Sequence, residues 1–169
     1  MIAVESARLT IREAEAEDLP GLLAVYQSNP ELMAHQEGAR GEAGYIDLEM
    51  FQRDWWVARM MPGRHMLGLF RTADGAAVGT ADYIEEHPEQ GVPWLGALVI
   101  ARAQQRQGLG SEAFTALATA FRERHHWPAL RIGVGSWNSG ALAFWERLGF
   151  QRVNLRPEIA DMVVLERAL

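Results

Sequence analysis

The chain has 169 residues, 22 acidic against 16 basic, with no cysteine and no lysine, every basic residue other than histidine being arginine. That balance disfavours a sequence-independent nucleic-acid binder, and the missing residue types remove disulfides, thiolate metal sites, cysteine nucleophiles, the phosphate-loop lysine and Schiff-base chemistry. Apolar residues at 49% and charged residues at 22% describe a soluble globular chain, read as one domain over residues 1–169.

Glu5, Arg8 and Arg12 interrupt any leader-like apolar run. The longest apolar stretch, 94–101, falls far short of the ~20 residues a membrane helix needs. The expectation is a cytoplasmic protein with neither a membrane nor a nucleic acid as partner.

In chain order, residues 8–12 read as a short strand with Leu9 and Ile11 on one face. Glu17 and Asp18 signal a helix start, and Leu19, Leu22, Leu23 and Tyr26 follow at helical spacing until Asn29 and Pro30. Three glycines make 38–44 a loop. A second helix, 46–60, carries Trp55 and Trp56, which as neighbours cannot share a face. Residues 66–71 and 77–84 are strands joined by Ala73-Asp74-Gly75, a hairpin signal. A polar loop, 85–91, leads to a buried-looking strand, 94–100. Leu109, Ala113, Phe114, Leu117, Ala118 and Phe121 then form one apolar stripe on the clearest helix, which runs to Arg124. Leu130, Ile132 and Val134 alternate as a strand, and 141–148 is a short helix stopped by Gly149. Residues 150–155 and 162–165 close the chain as strands. No repeat or break in composition divides it, and the alternation gives an α/β (α+β) domain.

The most informative segment runs from strand 94–100 through Gly108-Leu109-Gly110 into the amphipathic helix. A strand, a glycine-bearing turn and a helix N-terminus aim unpaired N–H groups at one point, with the helix dipole behind them, which makes an anion site suited to phosphate. Gly108-x-Gly110-x-x-Ala113 formally fits the dinucleotide fingerprint. That fingerprint needs an acid about 20 residues on, at the end of the next strand. No Asp or Glu lies between Glu123 and Glu146, and the turn is too long. The Rossmann reading fails.

Gln105-x-x-Gly108-x-Gly110 resembles the acetyl-CoA loop of the GCN5-related N-acetyltransferases (GNAT). The segment 138–150, Asn138-Ser-Gly-Ala141-Leu-Ala-Phe144-Trp145-Glu-Arg-Leu148-Gly149-Phe150, is similar to that family's second signature, in the right order and with a strand between. The resemblance implies a mixed, mostly antiparallel sheet, splayed at the cofactor strand and flanked by about four helices. It implies acetyl-CoA as co-substrate, no metal, an amine acceptor and, as often in the family, a homodimer. Main-chain amides of Arg106, Gln107, Gly108, Leu109, Gly110 and Ser111 would cradle the pyrophosphate, next to Gln105. Leu98, Val99 and Ile100 would contact the pantetheine arm, with an N–H near Ile100 polarising the thioester carbonyl. Asn138 would hydrogen-bond that arm, and Ala141, Phe144 and Trp145 would line its distal part. Trp145 stands where many members carry a tyrosine that protonates the leaving thiolate, so that role is vacant or moved. Arg102 stands where proline is common.

An amine of pKa ~10 is protonated at neutral pH and must lose a proton to attack. Between Thr72 and Ala101 there is no arginine, whereas Asp74, Asp82, Glu85, Glu86 and Glu89 all occur. Glu85, Glu86 and His87, in the loop before the cofactor strand, are the candidate proton acceptors. Tyr83 and Trp94 flank that loop and either line the acceptor cleft or pack in the core. His125-His126 diverge on a helix end without a third ligand, and Arg53, Arg59 and Arg64 read as solvated surface. The activity implied is acetyl transfer to an amine by direct attack, since no cysteine can carry an acyl-enzyme. The alternative is an acyl-CoA-binding sensor that keeps the cradle without efficient chemistry.

Overall fold

The computed structural model describes residues 2–36, 46–155 and 161–169. The loop expected at 38–44 lies outside them. The strands are β1 (Ala3–Glu5), β2 (Leu9–Glu13), β3 (Arg64–Arg71), β4 (Ala77–Ile84), β5 (Trp94–Ile100), β6 (Ala129–Gly135), β7 (Gln151–Arg152) and β8 (Met162–Ala168). The helices are α1 (Leu19–Gln27), α2 (Pro30–Gln36), α3 (Leu48–Met60), α4 (Leu109–Ala120) and α5 (Ser139–Arg147). All the strands join one sheet in the order β1-β2-β3-β4-β5-β6-β8-β7. Neighbours are antiparallel except β5 and β6, which run parallel.

Three departures from the sequence reading have physical causes. Pro30, read as a stop, opens α2, because proline fits the first turn of a helix, where its missing N–H is not needed. Phe150 turns into the core instead of starting a strand, and pairing there shrinks to Gln151 and Arg152. α4 gives way at Phe121–His125 to a wider π-type turn, ended by His126 at φ 55°.

Two apolar layers sandwich the sheet. On one face Leu109, Ala113, Phe114 and Leu117 of α4, with Leu142 and Trp145 of α5, pack on Leu9, Ile11, Leu67, Leu69 and Ile132. On the other, Leu19, Leu22 and Leu23 of α1 and Phe51 and Trp55 of α3 close over Phe70. Trp55 is buried, its indole N–H donating to Ala14 O at 3.0 Å, while Trp56 is 58% exposed, so the pair divides between core and surface. Tyr83 and Trp94 are both buried. The helices cover unequal parts of the second face: α1 and α3 lie over β3 and β4, and α1 reaches only the edge of β5.

Candidate functional site

β5 and β6 pair at only two positions, Trp94 with Arg131 and Leu95 with Ile132. Past Leu95 the strands part. The split coincides with an irregularity in the β4–β5 pairing, where Tyr83 faces Leu95 and Asp82 faces Ala97, leaving Gly96 as the extra residue. Ala101 N–H donates to Val78 O, so by antiparallel alternation Val99 bonds towards β4 while Leu98 and Ile100 turn their main-chain groups into the gap. The Val99 side chain is buried as well. Of the three strand residues expected at the cofactor, Val99 turns its main chain to β4, and Leu98 with the Ile100 N–H presents the free strand edge.

The glycine turn closes one end of the gap. Arg106 (φ 64°) and Gly108 (φ 79°) are both left-handed, a backbone form that turns successive N–H groups inward. The N–H groups of Arg106, Gln107, Gly108, Leu109, Gly110 and Ser111 have no protein acceptor among the described residues; the first main-chain bond of the helix is Glu112 N–H to Gly108 O at 3.0 Å. Six unengaged donors thus stand at the start of a helix, where the helix dipole favours an anion.

Side chains from elsewhere in the chain hold this turn. Gln105 Nε2 donates to Asn29 Oδ1 at 2.7 Å and to Ile100 O at 3.0 Å, and Asn29 Nδ2 donates to Ile100 O at 3.1 Å. Gln105 is thereby a strut of the loop. Arg102 N–H donates to Ser28 Oγ at 3.0 Å, and its guanidinium pairs with Glu31 at 2.7 Å. From the other side Arg8 grips Glu112 at 2.7 Å and donates to Gln107 O at 3.0 Å. Burial by itself would raise the Glu112 carboxyl, but hydrogen bonds from the Ser6 hydroxyl, the Arg8 amide and the Arg8 guanidinium hold it below the usual range. Asn29, buried and 71 residues from Ile100, escapes sequence reasoning altogether.

The second motif reaches the same place. Asn138 caps α5, its Oδ1 accepting from Ala141 N–H at 3.0 Å, which leaves the Nδ2 protons for a ligand. Phe144 lies against the cradle: a Cβ on Gly110 would sit 3.3 Å from its Cζ. Trp145 points the other way, buried with Phe114 and Phe150 at centroid distances of 5.4 and 5.2 Å. Its expected place on the pantetheine wall is corrected to the core, which is where a large apolar ring gains most from burial.

The loop acids separate. Glu85 Oε1 meets His65 Nε2 at 3.0 Å, and His65 Nδ1 meets Glu13 Oε1 at 2.8 Å, with the imidazole stacked on Tyr83. This group lies on the face that carries α4. Burial first, then Glu13 and Glu85, push the Tyr83 phenol up. His87 tilts over Trp94 at 4.8 Å, its Nδ1 accepting from Glu89 N–H, and Glu86 is exposed. Two of the three expected proton acceptors, Glu85 and His87, are thus held by their own neighbours.

An acid not singled out from sequence stands at the split itself. Asp82 is on the opposite face from Tyr83; its Oδ2 accepts at 3.1 Å from Arg64, which is solvated as expected and also pairs with this acid. Asp82 Oδ1 is buried without a hydrogen-bond partner among the described residues, and a Cβ on Gly96 would lie 2.3 Å from it. Burial pushes this carboxyl up, against the Arg64 guanidinium and the Ala97 amide. A lone charge inside the apolar run 77–84 is the sequence signal that could have marked it. Among the described residues no group of three His, Asp or Glu is placed to hold a metal, and no helix is long and apolar enough to cross a membrane.

Comparison with known proteins fits this geometry. The chain superposes on an acetyltransferase from Thermus thermophilus with a TM-score of 0.78 and 24% identity, over 99% of this chain and 100% of that one. It superposes on a GNAT-family acetyltransferase from Bacillus anthracis at 0.76 and 15%, over 99% and 98%. A spermidine N-acetyltransferase from Vibrio cholerae, solved with CoA and spermine, gives 0.73 and 15%, over 96% of each chain. No curated protein sequence matches. The acetyltransferase (GNAT) domain model matches residues 8–151, a span holding both the glycine cradle and the Asn138 cap, and the chain belongs to that family of N-acetyltransferases.

Proposed function

We propose that this chain, acting as one domain over residues 1–169, moves an acetyl group from acetyl-CoA to an amine by direct attack. The observation that carries the reading is the parting of β5 and β6 after Leu95, with six unengaged amides at the mouth of the gap. The pyrophosphate takes those amides, and the pantetheine arm lies along Leu98 and Ile100 as an added strand. Ile100 is next to the cradle, its carbonyl already taken by Asn29 and Gln105. An arm extending from there at the ~3.3 Å per residue of a strand carries its thioester deeper, past Leu98 towards Gly96. The Leu98 amide is therefore the better placed donor to the developing oxyanion, ahead of the Ile100 amide expected from sequence.

With Trp145 in the core, no tyrosine stands at that position to protonate the leaving group. An alkyl thiol of pKa ~8.5 leaves readily as the thiolate. Glu86, exposed on the β4–β5 loop, with Glu85 and His87 beside it, draws in a cationic amine. The test is acetyl-CoA titration followed by a thiol-release assay over polyamines, arylalkylamines, amino acids and peptide N-termini. Turnover on any amine supports transfer; saturable binding without turnover on any would favour the sensor alternative.

A further inference from the structure

Beside the split, the face of the sheet that bears Asp82 is covered unevenly. α1 and α3 lie over β3 and β4 there, and at β6 and β8 Val164 is buried while its neighbours keep apolar surface in solvent. There β6 shows Arg131, Gly133 and Gly135, since Leu130, Ile132 and Val134 face α4. Neighbouring side chains occupy the space over the two glycines. A Cβ on Gly133 would be 2.3 Å from Met162 Sδ, and one on Gly135 would be 2.3 Å from Trp137 Nε1. Met162 and Trp137 are each 40% exposed, so both offer apolar surface to solvent. Trp137 is steadied by His35 of α2, stacked on it at 3.7 Å, and His35 is itself pinned through Nδ1 to Glu31 O at 2.8 Å. At the other end of the strip Arg131 is neutralised by Glu166 at 2.7 Å and bonded to Gln90 at 3.2 Å. The strip carries no free cation among the described residues, and it borders the gap on the β6 side, facing β4 across the parted strands.

We propose that this strip binds the acceptor, a primary amine bearing a flat apolar group, which rests on Trp137 and Met162 while its nitrogen reaches Asp82, the proton acceptor. The assignment rests on the transferase reading. Asp82 Oδ1 is buried and unpartnered at the bulge, where only the absence of a side chain on Gly96 keeps it clear. A buried acceptor atom without a donor costs stability and persists where something else uses it. The ammonium proton passes first to the Asp82 carboxylate and thence to solvent, and the freed amine nitrogen attacks the thioester carbon and forms the C–N bond. The C–S bond breaks with its electron pair leaving on sulfur, and the second nitrogen proton, released as the amide forms, goes to the thiolate or to solvent. Beside Asp82, β3 supplies Arg64, neither β5 (Trp94–Ile100) nor α1 (Leu19–Gln27) carries a charged side chain, and Glu49, Arg53 and Arg59 of α3 are exposed.

The test compares wild type, Asp82→Asn and Trp137→Ala with phenethylamine, ethylamine and spermidine, and acetyl-CoA affinity is measured for each protein. The expected result is a higher kcat/KM for phenethylamine than for ethylamine or spermidine. Asp82→Asn lowers kcat about 10²-fold or more while keeping its acetyl-CoA affinity. That deficit shrinks as pH rises towards ~10, where the amine loses its proton unaided. Trp137→Ala raises KM for phenethylamine about tenfold and leaves KM for ethylamine unchanged. A kcat within threefold of wild type for Asp82→Asn, or a pH-independent deficit, overturns the proton assignment. Preference for spermidine, or an equal KM change for all amines, overturns the apolar strip. Failure of wild type to bind acetyl-CoA would instead sink the transferase reading, and this assignment with it.

Discussion

Asp82 and Glu112 are both carboxylates facing an arginine, and their surroundings push them in opposite directions. Glu112 is saturated: the Ser6 hydroxyl, the Arg8 amide and the Arg8 guanidinium all donate to it, and its carboxyl is held low. Asp82 has one guanidinium on one oxygen and the Ala97 amide beside it, its other oxygen is buried without a hydrogen-bond partner, and its carboxyl is pushed up. A satisfied acid braces the cofactor cradle; an unsatisfied one stands where the strands part. Perturbation by desolvation in a cleft is the pattern of groups that move protons, and perturbation by full hydrogen bonding is the pattern of structure. The sharpest way to break the contrast leaves Asp82 in place. Gly96→Ala puts a Cβ within 2.3 Å of Oδ1 and forces the carboxylate aside. Turnover should fall at least tenfold, towards the ~10² or more of losing the base itself, with acetyl-CoA affinity kept. An unaltered kcat would show that the position of this oxygen does not matter.

The two acids also predict opposite pH signatures in stability. The folded pKa of Glu112 lies below its unfolded value of ~4.3, so the unfolded chain binds more protons between the two. The contribution is present above that range and is lost as pH falls through the folded pKa. Glu112→Gln should therefore cost about 1–2 kcal/mol at pH 7, and the difference from wild type in urea denaturation should shrink as pH falls below ~4.3 and vanish only below the folded pKa. For Asp82 the folded pKa lies above ~3.9, the folded chain binds more protons, and stability falls as pH rises through that window. Asp82→Asn should thus gain on the order of 1 kcal/mol at pH 7, a stability gain that comes with a loss of activity. A loss of stability at pH 7 would mean that the Arg64 pair outweighs burial.

These two acids also mark where sequence reasoning reaches and where it stops. Gln105, Gly108, Gly110 and Asn138 are legible because their work is local: a turn, a helix start, a cap three residues long. β4 and β5 are legible to the residue, since their apolar runs end in turn residues. Asp82 is visible only as one acid among several. Its meaning comes from the register that sets it opposite the bulge at Gly96, and register is a property of paired strands. Asn29 is the same case at longer range, since its partner Ile100 is 71 residues away. β1 escapes because three residues carry no period, and α2 because Pro30 reads as an end until the residues after it are seen to be helical. Trp145 is misplaced because a motif position specifies a slot, while the ring's size and the neighbouring Phe114 and Phe150 decide which way it turns.

The smallest effect probes how rigidly the braced side of the comparison is held. Gly108 has φ 79°, a left-handed conformation that costs a residue with a Cβ about 1 kcal/mol. A Cβ there would also stand 3.5 Å from Arg8 Nη2, ordinary contact distance, so crowding adds little. Gly108→Ala should then lose about 1 kcal/mol of stability in urea denaturation, with the Arg8–Glu112 pair intact. If the cradle is rigid, the alanine bears its strain in place and acetyl-CoA affinity falls less than about tenfold. If the turn relaxes to relieve the strain, stability is nearly retained and the six amides lose their convergence. Affinity then falls by more than the stability does, and the brace of Arg8 and Glu112 would be shown too weak to fix the cradle by itself.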